Sequence, residues 1–153
     1  MIQIQIRKAI PSDADIILEL IKAKANFDWE MKRSMGELTT SLEKIKNTLF
    51  NESPFAHVFL VEEKNKVVGF ALYHFQYSSF KGQPSVWLDD LFISGNQRSK
   101  GAGAALMQTI KEEACSKDAS HIGWFANANN HRAQKFYDAL GAEVDEARDN
   151  SLR

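Results

Sequence analysis

At the start of the chain Ile2, Ile4 and Ile6 alternate with Gln3, Gln5 and Arg7, a period of two that predicts a half-buried strand. Pro11-Ser12-Asp13 interrupts it and brings helix N-cap chemistry. Ile16, Ile17, Leu20, Ile21 and Ala25 then recur at helical spacing, so a first helix is expected from about Ser12 to Asn26. A second is expected from Gly36-Glu37, with Leu38, Leu42, Ile45 and Leu49 on one face, ending at Asn51-Glu52-Ser53-Pro54. His57 to Glu62 and Lys66 to Tyr77 are rich in Val, Phe and Tyr and flank Lys64-Asn65, which reads as an antiparallel hairpin. Ser78 to Pro84 reads as a loop and Ser85 to Ile93 as a further strand. A third helix carries Ala104, Ala105, Ile110 and Ala114, His121 to Ala126 is a short strand, and Asn129 to Leu140 a helix stopped by Gly141. The order β-α-α-β-β-β-α-β-α predicts an α+β fold with a mixed sheet, antiparallel first and with a parallel pair later.

Composition narrows the classes of function. With 153 residues, 44% of them hydrophobic and 25% charged, the expectation is one domain spanning residues 1–153. Nineteen Lys and Arg against 20 Asp and Glu leave a formal charge of -1, which argues against nucleic acid or anionic lipid as partners. Cys115 is the only cysteine, so an intramolecular disulfide and a cysteine zinc site are both excluded. A signal-peptide pattern is not evident, and a cytoplasmic, non-membrane protein is expected.

The chemistry-bearing segment is Arg98-Ser99-Lys100-Gly101-Ala102-Gly103, placed between a strand and a helix. Glycine lets the main chain approach an anion without a Cβ, the helix N-terminus offers unpaired N–H groups, and Arg98 and Lys100 add charge. Gly103 is followed by Ala104-Ala105 and not by Lys-Ser/Thr, which excludes a P-loop. A dinucleotide fingerprint needs a third small residue at the right offset and an early strand-helix-strand unit, whereas this segment follows a meander. The motif alone is equally compatible with a glycine-rich turn bearing solvated cations.

Taken in order, Leu88-Asp89-Asp90-Leu91-Phe92-Ile93, Arg98-x-x-Gly101-x-Gly103, Asn130-x-x-Ala133-x-x-Phe136-Tyr137 and Leu140-Gly141-Ala142 resemble the GNAT superfamily of acetyl-CoA-dependent N-acetyltransferases. Phe70 to Phe75, Tyr77, Gly82 and Leu88 to Phe92 are similar to its spermidine/spermine (polyamine, diamine) and thialysine acetyltransferase branch, whose aromatic-acidic substrate pair falls at Phe27-Asp28.

The resemblance implies a sheet whose central strands splay into a V, with the backbone of Leu91, Phe92 and Ile93 pairing with the pantetheine arm of acetyl-CoA. It places the pyrophosphate on Arg98, Ser99, Lys100, Gly101, Ala102, Gly103 and Ala104, with Asn130 and Ala133 contacting the same cosubstrate. It implies direct transfer in a ternary complex to a primary amine, with no metal. Asp89 would bind the amine and relay its proton, and Tyr137 would donate a hydrogen bond or proton to the departing thiolate. An alkylammonium with a pKa near 10.4 makes that proton removal necessary at pH 7. Asp89 is one methylene shorter than the branch's usual glutamate, which leaves direct abstraction and relay through water both open.

Phe27, Asp28, Trp29 and Glu30, with Asp89 and Asp90, make an acidic, aromatic-edged acceptor site or else a solvated acidic loop. Strand alternation puts Asp90 on the face opposite Asp89. Lys32 and Arg33 argue against a long polyamine and for a smaller amine or one bearing a carboxylate. Cys115 is expected to be a packed small hydrophobe, the four histidines show no metal spacing, and Trp87 and Trp124 are expected in the core, Trp124 beside the V. After Gly141-Ala142 the branch has two final strands that cover the acceptor site and often take part in a homodimer. Residues 143–153 are short and charged, so an absent or incomplete last strand is expected. Two other activities fit the same motifs: acetylation of a protein lysine or an aminoglycoside, and acyl-CoA binding by a regulator without turnover.

Overall fold

The computed structural model describes residues 4–30, 37–95, 101–127, 130–143, 147–148 and 151–152. Strand β1 (Ile4–Lys8) pairs antiparallel with β2 (His57–Glu63), β2 with β3 (Lys66–Ser78), and β3 with β4 (Gln83–Ile93). Lys64 and Asn65 both take positive φ, 52° and 63°, the primed-turn geometry that suits a two-residue hairpin. Beyond β4 comes β5 (Ile122–Gly123), which pairs with it in parallel and completes a mixed five-stranded sheet in the order β1-β2-β3-β4-β5.

Alternation along the strands builds a core on each side of this sheet. Phe59, Val61, Ala71, Tyr73, Val86 and Leu88 pack under α3 (Ala102–Ser116), which contributes Leu106, Met107, Ile110 and Ala114. Val58, Leu60, Phe70 and Phe92 face α1 (Ala14–Glu30) and α2 (Leu42–Leu49), which supply Ile17, Leu20 and Ile45. Cys115 falls one residue beyond the buried stripe of α3 and is exposed, not packed as expected.

Several boundaries differ from the expected ones. Helix α1 runs to Glu30, four residues past the expected end, and the Lys24–Asp28 pair spans one turn of that extension at 2.7 Å. Helix α2 begins only at Leu42, because the Ser41 side chain accepts from the Lys44 N–H and caps it there. The expected strand His121–Ala126 is two pieces. After Gly123 the chain leaves β4, and β6 (Ala126–Asn127) joins a small separate sheet with β7 (Ala147–Arg148) and β8 (Ser151–Leu152). Parallel pairing of β4 with β5 covers Val86–Ile122 and Trp87–Gly123, and the two strands then diverge toward Leu91–Ile93. That divergence is the expected V. The tail therefore does form two strands, each of two residues, which is shorter than a full closing hairpin. No helix among the described residues is long and apolar enough to cross a membrane.

Candidate active site

In β4 the register with β3 passes from Leu72–Asp90 to Tyr73–Leu88, so Asp89 is the extra residue of a β-bulge. A bulge cancels one step of alternation. Asp90 reaches Lys24 on α1 at 3.2 Å, while Asp89 lines a cavity that also contains Lys24 and Asp28. Both carboxylates therefore lie toward α1, which corrects the expectation that they occupy opposite faces.

Each carboxylate has its own setting. Asp89 Oδ1 accepts from the Trp87 indole N–H at 2.9 Å, and Oδ2 lies 3.5 Å from His74 Nδ1. Its side chain is 46% exposed, against 25% for Asp90 and 17% for Asp28, so Asp89 is the most accessible of the three. Burial pushes the Asp90 carboxyl above the usual range; the Lys24 charge opposes this, and Asp89 and Asp28 add to the rise. Burial acts to lower the Lys24 ammonium, but Asp90 and Asp28 outweigh it and hold its pKa above the ordinary value.

The cavity at these residues, about 100 Å³, is walled by Phe27, Leu88, Leu91, Trp124, Phe125 and Tyr137. A second cavity of about 500 Å³ runs along Leu91, Phe92 and Ile93 to Gly101, Gly103 and Ala104, and is bounded on the far side by Arg132, Lys135 and Phe136. The two share Phe27, Leu91, Asn130, Ala133 and Tyr137. Tyr137 thus stands where they meet. Its ring packs on Trp124 and Phe136 with centroids 5.0 and 5.3 Å away, and burial pushes its hydroxyl pKa up to about 12. At neutral pH it is a phenol with a proton to give.

Local sequence explains the larger cavity. Gly101 caps α3 with φ +86°, a left-handed conformation that glycine adopts without strain, and it offers no capping side chain to the first-turn amides. A Cβ on Gly103 would meet the Phe136 ring at 3.3 Å, so glycine there lets the two walls approach. The Asn130-x-x-Ala133 spacing is an N-cap: the Asn130 side chain accepts from the Ala133 N–H at 3.1 Å and starts α4 (His131–Ala139) beside the cavity. An apolar strand wall, an open helix N-terminus and the cations of α4 suit a molecule with an extended arm and a phosphate-bearing end.

Of the residues expected from sequence, Leu91, Phe92, Ile93, Gly101, Gly103, Ala104, Asn130, Ala133 and Tyr137 line the larger cavity, and Phe27, Asp28 and Asp89 the smaller. Ala102 is buried in the core beneath them. Arg98, Ser99 and Lys100 lie outside the described residues, as do Lys32 and Arg33. Phe27 and Asp28 sit on α1 and not on a loop, while Trp29 beside them is 73% exposed. Trp124 borders the V as expected, and Trp87, expected in the core, is half-buried and packs edge-on against Phe125. Lys24, Phe125, Arg132 and Lys135 were not singled out by sequence; the i,i+4 spacing of Lys24 and Asp28 was the available signal.

Comparisons with known proteins bear on the family and the fold. The pattern described as Acetyltransferase (GNAT) family matches residues 23–142. The thialysine N-epsilon-acetyltransferase of Bos taurus is 30% identical over 148 residues, covering 92% of this chain and 84% of that protein. The L-ornithine N5-acetyltransferase of Arabidopsis thaliana is 31% identical over 113 residues, 72% of this chain and 50% of that protein. In fold, an aminoglycoside acetyltransferase from an uncultured soil metagenomic sample, solved with trehalose, superimposes with a TM-score of 0.77 at 19% identity, covering 95% of this chain and 93% of that one.

Proposed function

Because the chain belongs to the acetyltransferase (GNAT) family and is an N-acetyltransferase, we propose that it transfers an acetyl group from acetyl-CoA directly to the primary amine of a small molecule. The observation that carries this reading is the meeting of the two cavities at Tyr137. Both substrates are then bound together and the amine reaches the acyl carbon without a covalent enzyme intermediate. The names of the thialysine and ornithine enzymes support a small amine as acceptor.

Acetyl-CoA supplies the activated acyl thioester. Leu91, Phe92 and Ile93 would hold its arm along the diverging edge of β4, and Gly101, Gly103 and Ala104 at the start of α3 would hold its pyrophosphate; Asn130 and Ala133 complete the wall. Asp89, oriented by the Trp87 N–H, attracts the ammonium and takes its proton, directly or through a water. Phe27 and Trp124 flank the cation and keep bulk water from the reacting nitrogen. Tyr137, protonated at neutral pH, would donate a hydrogen bond or its proton to the sulfur as the C–S bond breaks; burial raises its pKa, which weakens it as an acid and favours the hydrogen bond.

Purified protein incubated with acetyl-CoA and a panel of simple alkyl monoamines, diamines, polyamines, thialysine, lysine and aminoglycosides, with free thiol followed, tests this reading. Thiol release and N-acetylated product with a small amine are expected. Tight acetyl-CoA binding without release for any member would overturn it in favour of a binding protein.

A further inference from the structure

The acceptor cavity already contains an ammonium. Lys24 projects from α1 into it, with Nζ 2.7 Å from Asp28 Oδ2 and 3.2 Å from Asp90 Oδ1, and its side chain is only 23% exposed. Counting carboxylates alone, Asp28 and Asp89 on the cavity wall, with Asp90 behind Lys24 and not itself lining the cavity, suit a di- or polycation. Counting Lys24 changes that. The two most enclosed carboxylates are engaged by the protein's own alkylammonium, and the more accessible Asp89 is the one left facing a substrate nitrogen.

Resting on the reading of this cavity as the amine site, we propose that Lys24 is a specificity-determining residue, a built-in ammonium that excludes acceptors carrying a second cationic group close to the reacting amine. In a cavity of about 100 Å³ a second substrate ammonium has two choices. It lies against Lys24 Nζ in a partly desolvated space, where like charges repel far more than in water, or it displaces Nζ from two carboxylates. A monoamine meets Asp89 and does neither. The ring walls of Phe27, Trp124 and Phe125 accept its alkyl part. The selectivity is therefore set by a repulsive element as well as by the attraction of Asp89.

The test titrates n-butylamine and 1,4-diaminobutane, matched in carbon number, into the full-length protein saturated with coenzyme A, with heat as the readout and thiol release from acetyl-CoA followed in parallel. In the unmodified protein the diamine binds no tighter than the monoamine; a diamine more than tenfold tighter overturns the assignment without any variant. Lys24→Met shifts the ratio of the two dissociation constants tenfold or more toward the diamine, and Lys24→Arg, which keeps the charge, retains the original preference. An unchanged ratio in Lys24→Met, or the same loss of preference in Lys24→Arg, overturns the assignment. If the ratio shifts as expected but neither amine releases thiol, the assignment of Lys24 holds and the acetyl-transfer reading falls. Thiol release with an unmoved ratio is the reverse, and failure of both amines to bind overturns the two together.

Discussion

Asp89 and Asp90, neighbours in the chain, lie on the same side of the sheet because Asp89 is the extra residue of the β4 bulge. Regular pleating would have sent one of them into the core under α3, where an unpaired charge is costly. The bulge instead gathers both beneath α1, where Asp90 pairs with Lys24 and Asp89 is aimed by Trp87 toward the cavity shared with Tyr137. In the proposed mechanism, acceptor binding and proton removal both depend on this local irregularity.

Asp89→Asn keeps size and removes the base. In steady-state assays it lowers kcat/KM for the amine by about 10²-fold or more, the usual scale for a general base, while the dissociation constant for coenzyme A stays within about twofold. A loss below about threefold would take the proton relay away from Asp89.

Tyr137→Phe removes only the hydroxyl. A fall in kcat of about tenfold to a hundredfold is expected, with coenzyme A binding little changed. In the unmodified protein kcat/KM for the amine rises with pH as the amine loses its proton. Because burial pushes the Tyr137 phenol up to about 12, no alkaline fall is expected from it below about pH 11. A fall between about pH 8 and 9 that Tyr137→Phe abolishes would contradict this.

Much of this was legible in the sequence. Period-two and helical patterning found the meander, the helices and the Lys64-Asn65 turn, and the Gly101, Gly103 and Asn130-to-Tyr137 motifs found the walls of the larger cavity. The bulge was not legible, because Leu88-Asp89-Asp90-Leu91 reads as an ordinary strand and the extra residue exists only relative to β3. The break after Gly123 was hidden for a similar reason, since Ile122 to Ala126 is apolar throughout and the change of sheet depends on partners far along the chain. Lys24 read as one more polar residue on a helix surface; only the packing of α1 over β4 turns it inward.

Gly101→Asp places a carboxylate and a Cβ at a position with φ +86°, at the open end of α3. Its charge opposes a pyrophosphate there, and its backbone strain adds of order 1 kcal/mol. Loss of measurable coenzyme A binding with the fold retained by circular dichroism is the expected result; binding at the original affinity would remove the cradle from this segment.

Stability has a separate anchor. Arg7 donates to both Asp13 oxygens at 2.7 and 2.9 Å and to Glu62 at 2.8 Å, tying β1 to β2 and to the start of α1. The Arg7 hydrogen bond holds the Asp13 carboxyl below its ordinary pKa, so its contribution is fully present above the usual carboxylate range and is lost as pH falls through the folded-state value. Asp13→Ala therefore costs about 2–3 kcal/mol at pH 7 by denaturant unfolding, and the difference from the original protein shrinks below about pH 4. A difference independent of pH would show that the ion pair is not its source.

The central claim is direct transfer between two substrates that meet at Tyr137, and initial rates of thiol release, with acetyl-CoA varied at several fixed amine concentrations, test it most directly. The account predicts double-reciprocal lines that intersect, since both substrates must be bound before any thiol is released. Parallel lines, with thiol released from acetyl-CoA before the amine is added, would contradict it.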